Sequence, residues 1–518
     1  MSKLMKAALL VFACGYLVAA CKKDKSAGNE SPDATANTPG TTLSDEDSLK
    51  YLMYRIMQVT YVDEGRNKST SLPTYYWYNQ VPTIDSLSST YATADDLLTK
   101  MISYPVSNGK ALDRYSFLDR TGSLNSALQD GVSEIGNKIS ATGDYGMEVS
   151  YAYDGTNTYL YILYADKNAP AYTQGGLTRG DEITAINGDA DIDYDGGSGT
   201  NTTKVTNAIY NSTSVTLKVT KANGTSKTVT LNSASYKINP VLFDTVFTVN
   251  SQKVGYFVFY TFPSTYNSNG EATYTKTVLD ETFAKFKSQG ISNLIVDLRY
   301  NGGGSVTTAE YLDSAIAPAS AQRQVMYYYK YNDKLTANLA TAGLESSVNY
   351  PTNTGGLLLN NVFFITGNGT ASASELTLNN LKPYMSVKTV GDTTYGKPVG
   401  FFTFTISKYD STGKENYLAD LYAINFATEN ANHVGEYYSG IAPDQAASDY
   451  INVPWGYADY DDHLSQIFSY IKSGSFSRTD ANARLAVKAN NLRSSLKTSV
   501  VSPKFNGMVD FRPRKVLK

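Results

Sequence analysis

Apolar positions fall along this chain in several rhythms, and each predicts a different kind of element. Behind Lys3 and Lys6 an unbroken apolar run, Ala7 to Ala20, is too short to span a bilayer and reads as a removable export signal, residues 1–20. From Lys22 to Thr42 almost nothing is apolar, so residues 21–42 cannot offset the entropy of ordering and are expected to form a flexible linker. Helical spacing begins with Leu49, Leu52, Met53, Ile56 and Met57, behind the capping and first-turn residues Ser44-Asp45-Glu46-Asp47. A second helix is predicted over 94–102, and the two define a small helical N-terminal region, residues 43–122.

Between Asp144 and Leu231 the period drops to two. Val215, Leu217 and Val219 alternate, Asn223-Gly224 follows, and Val229 and Leu231 resume the alternation, which predicts a hairpin closed by a two-residue Asn-Gly turn. After Lys237 the pattern becomes α/β. A strand is predicted over 254–259, and a helix over 275–288 with Leu279, Phe283 and Phe286 on one face and Gly290 as its stop. Further apolar strands are predicted over 293–298 and 361–366. This alternation predicts an α/β core, residues 237–475, with a mixed, partly parallel twisted sheet whose ligands sit beyond the strand carboxyl ends. The remainder, 476–518, reads as a polar and basic tail with a helix over 482–496.

Composition narrows the setting. The cysteines are Cys14, inside the signal, and Cys21, where Leu17-Val18-Ala19-Ala20 ends in the pattern that a bacterial lipoprotein peptidase cleaves to leave an acylated cysteine. A mature chain beginning at Cys21 has no pair to oxidise and is expected to be lipid-anchored in the bacterial cell envelope, on the periplasmic or the cell-surface side. Loss of Lys3 and Lys6 takes the formal charge from −3 to −5, and without a basic stretch nucleic acid is excluded as a partner. The 42 tyrosines have no physical account in the sequence. No cluster has metal-ligand spacing and no glycine turn carries the Gly-Lys-Ser/Thr of a phosphate loop, so neither metal nor cofactor is expected. Oligomeric state is not legible.

Three segments carry candidate chemistry. The apolar strand ending at Thr366 runs through Gly367-Asn368-Gly369-Thr370-Ala371-Ser372-Ala373-Ser374-Glu375, so Ser372 stands at a helix start, where the Ala373 N–H could donate to an oxyanion. Ser372 and Glu375 equally form the Ser-x-x-Glu of a capping box. The strand at Asn293 ends in Asp297-Leu298-Arg299-Tyr300-Asn301-Gly302-Gly303-Gly304-Ser305, whose glycines suit a second oxyanion donor at Gly303 or Gly304. Finally, Lys397 lies between Gly396 and Pro398. His433 and His463 lie in no motif and read as surface or loop histidines.

Together these segments resemble the C-terminal-processing, or tail-specific, serine peptidases. Asp297 to Gly304, Thr370 to Glu375, Gly391 to Lys397 and Gly440-Ile441-Ala442-Pro443-Asp444 occur in the family's order. Upstream, Ala169-Pro170-Ala171, Gly176 to Ile183 and Ile186-Asn187-Gly188 resemble a PDZ domain, residues 140–235. The resemblance implies a serine endopeptidase with Ser372 as nucleophile and Lys397 as general base, cutting near the free C-termini of proteins or peptides through an acyl-enzyme. It also implies that the turn Tyr145-Gly146-Met147 takes the substrate carboxylate. Lysine in water titrates near ~10.4, so Lys397 must lose solvation of its charged form, which enclosure by apolar groups such as Tyr395 and Phe401 would supply. Many members carry a glutamine four residues after the lysine, and here that position is Phe401. A catalytically impaired binding or scaffold lipoprotein on the same fold is the alternative.

Overall fold

The computed structural model describes residues 43–59, 72–133, 144–410, 412–476 and 505–512. The export signal, Cys21, the linker and the helix expected over 482–496 lie outside them. Among the described residues no helix is long and apolar enough to cross a membrane.

At the centre lies a six-stranded sheet in the order 241–249, 252–259, 293–297, 361–366, 387–391 and 445–446, antiparallel at the first pair and parallel thereafter. The strands alternate strictly. Phe257, Phe259, Leu294, Val296, Val362 and Phe364 face a core shared with the helices Tyr274–Ser288, Val306–Ile316 and Ala373–Leu381. Tyr256, Val258, Ile295, Phe363 and Ile365 face the helix Asp462–Ser473 through Leu464, Ile467 and Ile471. Burial on both faces is why these strands read as continuous apolar runs rather than as alternation.

Three neighbouring parallel strands, 293–297, 361–366 and 387–391, release their chains at the same edge of the sheet. The glycine turn, the Ser372 turn and the Lys397 turn follow them in that order, so the topology alone gathers the three candidate segments. A second six-stranded sheet adjoins this edge, in the order 303–305, 507–509, 399–401, 424–430, 325–330 and 347–349.

The N-terminal region does not stand apart. Leu49, Met53, Met57, Leu97 and Met101 pack into the main core, and a strand at Phe117–Asp119 pairs with 415–422. The helix predicted over 94–102 forms there, capped by Thr93 and Asp96. Residues 147–232 build a separate five-stranded antiparallel sheet with a core of their own, including Val149, Ile162, Ile183, Leu217 and Leu231. The expected hairpin forms with a different turn. Thr220 pairs with Ser226, and Lys221 N–H bonds to the Thr225 carbonyl at 2.8 Å, leaving the three-residue loop Ala222-Asn223-Gly224. Gly224 takes φ +83°, the bulge conformation that relaxes a three-residue loop into the twist of the strands.

The polar tail also departs from expectation. Gly507–Val509 is a strand inside the second sheet, and Met508 and Val509 are fully buried. A three-residue segment within a basic, low-periodicity tail gives too short a window for a strand signal.

Candidate active site

Ser372 is fully buried and precedes the helix Ala373–Leu381 with φ +60° and ψ −105°. A non-glycine residue held in that region is strained, and such strain marks turns that present a side chain at a sharp strand-to-helix corner. As the first helical residue, Ala373 has no intrahelical partner for its N–H. The Ser372 hydroxyl donates to the Val399 carbonyl at 3.4 Å, a long contact.

Glu375 does more than cap. Its buried carboxylate accepts from the Ser372 N–H at 2.8 Å, the Gly396 N–H at 2.8 Å, the Lys397 N–H at 2.9 Å and the Thr394 hydroxyl at 2.5 Å. One side chain therefore ties the Ser372 turn to the Lys397 turn. Burial pushes its carboxyl up, and the four donors oppose that shift. A capping-box spacing signals only the first of these bonds, so the clamp is invisible in sequence.

Lys397 is 1 % exposed and, among the described residues, has no carboxylate on its ammonium. Its Nζ donates to the Asn506 carbonyl at 2.6 Å and lies 4.0 Å from the centre of the Phe401 ring, 4.8 Å from Tyr115 and 6.0 Å from Phe505. Loss of hydration holds the amine well below the ordinary lysine range, only partly countered by Asp113 and Glu375. Ring faces attract a cation by about 0.5–2 kcal/mol, too little to offset burial. Of the two enclosing aromatics expected, Phe401 is present. Tyr395 instead lies 5.3 Å beneath the Arg114 guanidinium, and its place is taken by Tyr115 and Phe505. The glutamine missing at Phe401 is answered by a backbone carbonyl from the tail.

The N-terminal region buttresses this turn. Tyr115 OH donates to the Gly396 carbonyl at 2.7 Å, and Asp113 gathers Tyr75, Ser116 and the Tyr115 N–H. Nothing in the spacing of residues 113–116 signals a role in a site almost 300 positions later.

Gly303 and Gly304 have φ of +104° and +139° and lie against the Ser372 turn. A Cβ on Gly303 would stand 3.0 Å from the Ala373 nitrogen, which places these two oxyanion candidates side by side. The Gly303 N–H donates to Asn301 Oδ1 at 2.8 Å, and Gly304 pairs with Phe262.

The Tyr145-Gly146-Met147 turn is closed. Tyr145 and Met147 are buried, and the Gly146 N–H donates to Asp144 Oδ1 at 2.7 Å. The adjoining strand Met147–Tyr153 forms one edge of its sheet, and its Val149 N–H donates to Tyr210 OH at 3.3 Å. His433 is exposed and stacks on Tyr328. His463, expected at the surface, is buried with Nδ1 3.3 Å from Asp461, because it follows the capping Asp461 into the helix that covers the sheet. Neither histidine bonds to Ser372 among the described residues. Those residues also hold no group of three metal-ligating side chains.

A buried charge cluster joins the five-stranded unit to the core. Arg179 reaches Asp449 at 2.7 Å, Tyr300 OH at 2.6 Å and the Val453 carbonyl at 2.8 Å. Arg299 pairs with Asp297 at 2.7 Å, Asp449 at 2.9 Å and Asp461 at 3.0 Å. The Trp455 ring lies 4.3 Å from the Arg179 guanidinium and 5.2 Å from that of Arg299. A cavity of about 570 Å³ lies elsewhere, lined by Tyr266, Phe283, Tyr311, Met326 and Leu357. The chemistry at Ser372 weighs more than that volume in locating the site.

Residues 253–446 match the family model described as Peptidase family S41. The structure resembles that of a protein of Bacteroides fragilis NCTC 9343 assigned as an S41 protease, with a TM-score of 0.59 and 22% identity over 85% of this chain and 99% of that one. A photosystem II D1 C-terminal processing protease aligns with a TM-score of 0.40 and 20% identity over 78% and 93% of the two chains. No curated protein matches.

Proposed function

We propose that this protein is a serine endopeptidase in which neutral Lys397 takes the Ser372 proton, Ser372 attacks a peptide carbonyl, the C–N bond breaks as the protonated lysine returns that proton to the leaving amine, and water then hydrolyses the acyl-enzyme to free Ser372. The observation that carries this reading is a buried lysine with no carboxylate on its ammonium among the described residues, tied through Glu375 to a serine on a strained helix-start turn. A structural lysine would have an acid partner, whereas a base needs an unprotonated amine. The Ala373 N–H and the Gly303–Gly304 turn are the oxyanion donors of this scheme, once a substrate carbonyl recruits them.

The family resemblance extends the reading to substrates with free C-termini, held by the PDZ-like unit through the edge strand Met147–Tyr153 that adjoins the closed Tyr145-Gly146-Met147 turn. Lipidation at Cys21 would place the enzyme in the cell envelope, and Cys21→Ala should then release it from membranes. A second reading, a binding protein without turnover, is favoured by one observation: Lys397 Nζ bonds to Asn506 rather than to Ser372. A fluorophosphonate probe decides between them. Labelling of the parent chain that vanishes in Ser372→Ala supports the peptidase, and absence of labelling under all conditions supports the binding protein.

A further inference from the structure

The tail strand lies where a substrate should. Gly507–Val509 runs parallel to Gly303–Ser305, with Gly303, Gly304 and Ser305 opposite Gly507, Met508 and Val509. On its other side Val509 pairs with Phe401, and the Asp510 N–H donates to the Phe401 carbonyl at 2.9 Å. The Gly507 N–H donates to the Gly302 carbonyl at 2.8 Å. Both strand edges that flank Ser372 and Lys397 are thereby paired, and an extended peptide adding to either would have to displace the tail.

The glycine turn fits this occupant closely. A Cβ on Gly302 would stand 2.2 Å from the Phe505 carbonyl oxygen, and one on Gly303 2.3 Å from that of Gly507. A small latch holds the far end. Asp510 accepts from Tyr329 OH at 2.7 Å and Arg512 Nε at 2.9 Å, while Arg512 also reaches Glu310 at 3.0 Å and Tyr329 OH at 2.6 Å. This latch lies beyond the strand, away from Ser372 and Lys397, so it can be weakened without touching either.

We propose that the cleft between Gly303–Ser305 and Val399–Phe401 is the peptide-binding groove of this enzyme, and that the chain's own end, Phe505 to Arg512, occupies it as a tethered competitor. The ligand class is an extended peptide with two apolar residues followed by an acid and, two positions on, an arginine, as in Met508-Val509-Asp510-Phe511-Arg512. This rests on the peptidase reading and adds its regulation. Only the tail-free fraction binds substrate, so the apparent rate scales with that fraction.

The test compares the parent chain with Arg512→Ala and with a chain ending at Lys504, in fluorophosphonate labelling and in binding of a fluorescent peptide spanning 505–518. Thermal melting checks the fold. Arg512→Ala should label about tenfold faster or more and added peptide should suppress that labelling, while the shortened chain, which also lacks the Phe505 and Asn506 contacts to Lys397, should bind the added peptide more tightly than the parent does. Labelling of Arg512→Ala that is unchanged or slower, with added peptide failing to compete, would overturn the proposal and make the tail a fixed strand of the fold. That outcome can be read whether or not the shortened chain folds. If no chain labels but the folded, shortened chain binds the peptide, the groove and its occupant stand and the peptidase reading falls.

Discussion

Two regions of this molecule bury cations, and they treat them in opposite ways. Around Arg179 and Arg299 each guanidinium meets carboxylates, with Asp449 shared by both and Asp297 and Asp461 completing the cluster. Burial alone would raise Asp449 and Asp461, yet Arg179 and Arg299 outweigh it for Asp449, and Arg299 and His463 for Asp461, so both carboxyls sit far below the usual range. Around Lys397 there are rings and one carbonyl, and the charge is expelled rather than matched. The difference is one of purpose. A guanidinium cannot give up its proton and is suited to joining parts, whereas an ammonium stripped of water becomes a base.

The largest effect should come from exchanging one kind of cation for the other. Lys397→Arg keeps charge and loses basicity, and it should lower turnover of a peptide by roughly four to six orders of magnitude, as should Ser372→Ala. Near-parental turnover in Lys397→Arg would mean that the lysine is there for charge after all. In the seam the loss should appear in stability. Arg299→Met leaves three carboxylates facing a neutral side chain, and denaturant unfolding should show about 3–5 kcal/mol of destabilisation.

pH separates the two regions further. Asp449 and Asp461 have depressed folded values, so their contribution is complete above the unfolded value near ~3.9 and disappears as pH falls through the folded values. Lys397 is also depressed, but as a cation. Between its lowered folded value and the ordinary 10.5 the unfolded chain binds one proton more, so stability rises with pH across that window. Lys397→Met should therefore be more stable than the parent at neutral pH and should lose that alkaline slope, while keeping the acid limb. Thermal melts at a series of pH values would show it, and a retained slope would assign the effect elsewhere. The parent's kcat/KM should rise with pH through the same lysine.

Phe401→Gln should have the smallest effect. An amide in place of the ring eases the burial penalty on the ammonium, so the rising limb of the pH–rate profile should move to higher pH. The rate at high pH should change by less than about tenfold. A profile that does not move would show that the Asn506 carbonyl alone sets the lysine's environment.

The parts of this architecture legible in sequence are those written in local pattern. The strand at 361–366 and the helix at 94–102 form with the bounds that periodicity predicts, and three of the short motifs find one another because they follow adjacent parallel strands. What escaped detection depends on distance along the chain. Asn506 meets Lys397 across 109 positions, and Tyr115 meets Gly396 across 281. Both use backbone carbonyls, which every residue type carries, so no residue identity could announce them. Glu375 was visible as a cap, but its bonds to Thr394, Gly396 and Lys397 require the fold. In the hairpin the Asn-Gly pair pointed to the correct place and the wrong loop length, because one further residue, Ala222, joins the turn. Arg179, read within a segment that resembles a PDZ domain, spends its guanidinium on the seam.

That seam carries its own optical reporter. The chain has two tryptophans, Trp77 in the core beneath the N-terminal helices and Trp455 against the two guanidinium groups. Replacing Trp77 with phenylalanine would leave the indole at the junction as the sole emitter. Its intensity and colour would then follow the parting of the five-stranded unit from the core, letting ligand-driven movement between them be timed in a stopped-flow cell without an attached dye.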